Sequence, residues 1–167
     1  MSSVREDYHE ELEAGINKQI QMELEASYTY EAMSAYCARH DVALAGFAKH
    51  YRTEADEERD HARKFIDYQL KRGATVTYEK LSLLAGPQWS SITELVQNTL
   101  DMEVAVYNSI KELCKVASKH CDTGLKVLLE EFIEHQVDQI YEINTKLTIL
   151  KRVGSGDGLQ RFSDSHL

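Results

Sequence analysis

An all-α fold, four long helices in a bundle with a short fifth helix at the C-terminus, is what this 167-residue chain encodes. Proline occurs once, at Pro87, and glycine eight times, so little interrupts long stretches rich in Glu, Lys, Leu, Ala and Gln. Apolar residues recur at alternating steps of three and four in four segments of about 27 to 30 residues each, a length typical of bundles. Two of the three connections between them are short and the third is long, which sets the topology. The length suits one domain over residues 1–167, with the bundle at about 7–152 and the terminal helix at about 158–167.

The first segment runs from about Asp7 to Ala38, with Leu12, Ile16, Ile20, Glu23, Ser27 and Tyr30 on one face and Ser3-x-x-Glu6 as its expected capping box. The second runs from about Leu44 to Arg72 and stops at Gly73; Phe47, Tyr51, Glu54, Glu58, His61, Phe65 and Tyr68 form its stripe. Ile92 opens the third behind a second capping box, Ser91-x-x-Glu94, and Leu95, Thr99, Glu103, Val106, Ile110, Leu113 and Ala117 follow on one face. The fourth spans about Leu125 to Arg152, its seam read as Leu129, Ile133, Gln136, Ile140, Ile143, Leu147 and Leu150.

Arg39 to Ala43 and His120 to Gly124 are short enough to force antiparallel neighbours. Gly73 to Ser90 spans about 55 to 60 Å when extended, against about 42 Å for a 28-residue helix, so it can cross the whole bundle and leave the second and third helices parallel.

The formal charge of -9 disfavours a nucleic-acid partner and favours cations. No apolar run approaches a membrane span and the N-terminus lacks a signal-like apolar region, so the expectation is a cytoplasmic protein with no membrane partner. Cys37, Cys114 and Cys121 lack metal-site spacing and read as reduced thiols.

Each long segment carries a polar residue on its apolar seam near its midpoint: Glu23, Glu58 with His61, Glu103, and Gln136. Midpoints stay level whichever way a helix points. This brings three carboxylates, an imidazole and an amide to one height inside a core; the three carboxylates repel and raise their own pKa values, and a pair of cations is the natural compensation. Glu58-x-x-His61 places two ligand groups one turn apart, and oxygen and nitrogen donors without thiolate suit iron or manganese. Tyr30 shares the face of Glu23. Glu54 reads as a water-facing position on the same stripe, Asp56, Glu57 and Asp60 as a solvated acidic face, and His135, about 100° from Gln136 around its helix, as structural.

The stretches Ile20-Gln21-Met22-Glu23-Leu24-Glu25-Ala26-Ser27-Tyr28-Thr29-Tyr30, Asp41-Val42-Ala43-Leu44 and Glu57-Glu58-Arg59-Asp60-His61-Ala62, with the long crossover, resemble ferritins, and in particular the catalytic heavy-chain type of animals. The resemblance implies a ferroxidase centre in which Glu23, Glu58 and His61 hold one iron and Glu58 and Glu103, with Gln136 nearby, hold the second. It implies Tyr30 as the active-site tyrosine, Asp56, Glu57 and Asp60 in iron transfer and mineral nucleation, and a homo-oligomeric shell of 24 subunits around a ferric oxyhydroxide core. Fe(II) and dioxygen are the implied substrates. Two departures stand out. The turn from Cys121 to Glu130 is about one residue short, leaving the acidic pair of the three-fold pore without a clear counterpart among Lys126, Val127, Leu129 and Glu130. The terminal segment Gly158 to Leu167 is polar where the family is apolar.

The competing readings are a di-iron oxygenase or peroxide reductase and a non-enzymatic, light-chain-like structural subunit. Against the first, the fourth helix offers no second Glu-x-x-His. Against the second, a structural subunit gains stability by replacing buried charges with apolar groups.

Overall fold

The computed structural model describes residues 5–86, 88–154, 156, 158, 164 and 165. Among the described residues four long helices stand out: α1 (Glu10–Cys37), α2 (Ala45–Lys71), α3 (Ile92–Lys119) and α4 (Thr123–Val153). Their ends follow local chemistry. Helix α1 starts later than expected: His9 is its N-cap, the ring accepting from the Glu11 backbone N–H at 3.1 Å, and Glu6 lies before the helix in a turn. Ser3 of the expected capping box lies outside the described residues. The second box forms with a shift of partner. Ser91 Oγ accepts from the Glu94 N–H at 3.1 Å, while the Glu94 carboxylate reaches back to the N–H of Ser90 at 2.8 Å. Asp122, missed as a cap, accepts from the Leu125 N–H at 2.8 Å and starts α4 two residues early.

Helix α2 has no side-chain cap of its own at Leu44. Asp164 supplies one, its Oδ1 accepting from the Phe47 N–H at 2.7 Å. Gly46 makes room for it, since a Cβ there would lie 1.9 Å from the Asp164 carbonyl oxygen. Most of the expected terminal helix, residues 159–163, 166 and 167, lies outside the described residues.

The crossover is stitched to α1 at intervals of four residues. Asn17 donates to the Thr75 carbonyl at 2.9 Å and accepts from the Thr77 N–H at 3.0 Å. Gln21 donates to the Lys80 carbonyl at 3.1 Å, Glu25 accepts from the Ser82 N–H at 3.2 Å, and the Thr29 hydroxyl accepts from the Leu84 N–H at 2.9 Å. An i, i+4 column of short polar side chains on a helix is a straight row, so it holds an extended strand of chain along its length. The crossover thereby travels the length of α1, α3 begins where α2 began, and α2 and α3 run parallel.

The apolar stripes of α1 and α3 are buried as expected. The seam of α4 is a correction: Leu125, Leu129, Phe132, Gln136, Ile143, Leu147 and Leu150 are buried, while Ile133 and Ile140 are only partly so. Phe132 stacks on Phe65 of α2 with ring centroids 4.4 Å apart, an aromatic contact that rotates α4 toward α2. No described helix is long and apolar enough to cross a membrane.

Candidate metal centre

Glu23, Glu58, Glu103 and Gln136 are all 2 % exposed or less, and they meet at one level. From α1 and α2, Glu23, Glu58 and His61 each bring one ligand atom within 4.8 Å of the others. An ion with metal–oxygen distances of about 2.1 Å has ligands about 3 to 4 Å apart, so this cluster is within closing distance of one cation. Glu103 and Gln136 stand to one side, on α3 and α4. Gln136 donates to Glu103 Oε2 at 2.8 Å and to its carbonyl at 3.2 Å, and the Tyr30 hydroxyl donates to Glu103 Oε1. The structure brings together three of the five expected ligands and ties the other two to each other and to the tyrosine.

The donor set fits a cation. Glu23 Oε2 and Glu58 Oε1 are buried oxygens that no N–H or hydroxyl donor reaches, so that only a proton held between the two carboxyls could join them, and among the described residues no Lys or Arg pairs with Glu23, Glu58 or Glu103. Burial pushes the Glu23 carboxyl well above the usual carboxylate range, and the charge of Glu58 pushes it further. Burial likewise raises Glu58, with Glu103 as the next cause. Burial lifts Glu103 to about 7 even though its bonds to Tyr30 and Gln136 favour the charged form. Without a cation the centre therefore holds protons that a metal would displace. Burial and the Glu103 charge keep Tyr30 neutral, as a donor.

Gln19 and Gln139, which the sequence did not single out, and His135, which it read as structural, belong to the surroundings. Gln19, one turn before Glu23, donates to Glu23 Oε1 at 2.7 Å, and its own buried Oε1 is also unpartnered. His135 lies edge-on against His61, centroids 4.9 Å apart, although it sits about 100° from Gln136. The close packing of α4 on α2 through Phe132 makes that contact, and periodicity within one helix carries no signal for it. Gln139 donates to Glu54 Oε2 at 2.9 Å. Glu54 is thus hydrogen-bonded and partly buried, on the wall of a cavity of about 250 Å³ shared with Tyr30, Glu57, Thr99, His135 and Gln139. Asp56 and Asp60 are exposed and pair with Arg59 and Arg63 at 3.7 and 2.5 Å, as a solvated acidic face does.

Four helices, a full-length crossover and buried carboxylates facing an imidazole define the class of bundles that build ligand sets between facing helices. Comparison with known proteins gives the family. Residues 13–153 match the family model described as Ferritin: Ferritin-like domain. The chain is 43% identical to the soma ferritin of Lymnaea stagnalis and 41% identical to the ferritin-1 heavy chain of Schistosoma mansoni, in each case over 100% of this chain and 97% of the relative. It is 36% identical to the oocyte-isoform ferritin light chain of Xenopus laevis, over 93% of this chain and 89% of that one. The chain belongs to the ferritin family, whose common function is iron storage.

Proposed function

We propose that this chain is a catalytic ferritin subunit, which binds two Fe(II) at the mid-bundle centre, oxidises them with dioxygen and stores the product as ferric oxyhydroxide in a 24-subunit shell. The observation that carries the reading is the pair of buried, unpartnered carboxylate oxygens, Glu23 Oε2 and Glu58 Oε1, beside His61. A subunit with no metal to bind would lose stability by keeping them. Glu23, Glu58 and His61 hold the first ion; Glu58 turns toward Glu103 to share the second, with Gln136 orienting the Glu103 carboxylate.

Hard carboxylates favour Fe(III) over Fe(II), so each ion gives up one electron to dioxygen readily. A single imidazole and few protein donors leave positions open for dioxygen and water. Tyr30 donates a proton-bearing hydroxyl to Glu103 and holds that carboxylate in place. The weak grip of an amide on the second ion suits turnover, in which Fe(III) leaves, hydrolyses and joins the mineral. Glu54 and Glu57 line the cavity beside Tyr30 and are the carboxylates that departing ions would meet there, and Asp56 and Asp60 extend the acidic face next to it.

Aerobic addition of Fe(II) to the metal-free protein, followed by ferric absorbance and particle sizing in the same sample, tests the proposal. Fast oxidation saturating near two Fe(II) per chain, in a large particle that retains iron, is the expected result. A large particle no faster than buffer would instead assign a structural, light-type subunit.

A further inference from the structure

At one end of the bundle, about three helical turns along α1 from Glu23, three side chains with good metal-binding atoms converge: His9, Glu11 and His120 each offer one such atom within 4.8 Å of the others. The two imidazoles stack, centroids 3.9 Å apart and planes at 17°. His120 Nε2 lies 2.9 Å from Glu11 Oε2. They come from three places: the N-cap of α1, its first turn, and the C-cap of α3.

Helix capping alone does not account for this arrangement. Ser, Thr, Asp and Asn are the preferred N-caps, and histidine is not among them. Here the His9 ring accepts the Glu11 N–H through Nδ1, which fixes its tautomer and leaves Nε2 to carry either a proton or a metal. The second imidazole stands at the carbonyl end of α3, where the helix dipole favours a cation. We infer that His9, Glu11 and His120 form a second metal site, for a divalent ion of borderline softness such as zinc, which ties the start of α1 to the end of α3. Two imidazoles and one carboxylate, with water in the fourth position, are a common tetrahedral ligand set for zinc.

This site differs in kind from the mid-bundle centre. Its imidazoles outnumber its carboxylates, Glu11 is exposed, and a lysine already competes for the carboxylate: Lys119 Nζ lies 2.8 and 2.7 Å from the two Glu11 oxygens. The metal would displace Lys119, whose side chain is 61% exposed and free to swing into water. At bond lengths of about 2.0 to 2.1 Å the ligand atoms must draw in to about 3.3 Å apart, and the two rings must turn out of their stack so that their in-plane lone pairs converge on the ion, a movement of side chains.

Zinc titration of the intact, chelator-stripped protein, read by calorimetry and by thermal unfolding, tests the site with two variants that spare the fold. His9→Asn removes the ligand and keeps a good N-cap; His120→Gln removes the other imidazole at an open C-cap. The expected result is that each variant loses one zinc equivalent per chain and the associated rise in melting temperature, while aerobic Fe(II) oxidation is unchanged. Equal zinc stoichiometry in wild type and both variants would overturn the inference.

Discussion

Two buried polar networks, one at the middle of the bundle and one at its end, obey opposite rules. At the end, Arg72 Nη1 donates to Asp122 Oδ2 at 2.6 Å and to the Tyr68 hydroxyl at 2.8 Å; that hydroxyl donates to Asp122 Oδ1 at 3.0 Å. The Arg72 guanidinium lies 4.6 Å from the centre of the Tyr8 ring, and Tyr8 donates to Gln69. Charges balance there, and each group named has a protein partner. In the middle, three buried carboxylates have one neighbouring imidazole, no cationic partner among the described residues, and unpartnered oxygens. A network completed by the protein holds the fold; a network left open by the protein is completed by something that binds.

Removing a ligand from the open network should have the largest effect. Glu58→Ala is expected to slow aerobic Fe(II) oxidation by more than about 100-fold, since losses one shell further out already cost 10 to 100-fold. Its metal-free stability should fall by no more than about 1 kcal/mol, because removing a buried carboxyl with an oxygen that no donor reaches offsets the new cavity. An oxidation rate equal to wild type would remove Glu58 from the centre. The closed network should respond the other way. Asp122→Ala leaves Arg72 without its carboxylate and α4 without its cap, and denaturant unfolding should show a loss of about 2 to 4 kcal/mol, the range discounted because Arg72 is partly exposed. Its Fe(II) oxidation rate should be that of wild type.

Tyr30→Phe tests the edge of the open network. It leaves Glu103 Oε1 without its donor, and an oxidation rate about tenfold lower is expected, the low end of the roughly 1.5 to 3 kcal/mol that a hydrogen bond to a charged group contributes. The smallest effect is in pH. Glu103 titrates near 7 when folded and metal-free, above its ordinary value of 4.5. The folded state then binds the proton more tightly than the unfolded state, so the stability that proton confers is complete below about 4.5 and is lost as pH rises through about 7. Melting temperatures of the metal-free protein should fall across that window, and Glu103→Gln should flatten the fall.

Much of this was legible in the chain. The alternating three and four spacing located all four helices, and Gly73, with φ of 68°, ends α2 where it was expected. Glu23, Glu58, Glu103 and Gln136 showed as polar interruptions of apolar seams, because a buried charge is costly enough to mark its own position. What the chain by itself did not show lies where partners come from other helices. His135 was set aside on the geometry of its own helix, and the choice of Phe132 over Ile133 for the seam of α4 depends on Phe65 across the interface. Asp164 as the cap of α2 lies 117 residues from Phe47, beyond any local pattern.

The sequence alone determined the helices, their order, the parallel pairing that the long crossover allows, and the level at which the carboxylates meet. These follow from periodicity and chain length, which are properties of a segment by itself. Tertiary structure decided which carboxylate oxygens find partners and which remain open, that His135 stands against His61, and that His9, Glu11 and His120 share one corner. Such contacts depend on how each helix is rotated about its axis, and that rotation is set by side chains on its neighbours.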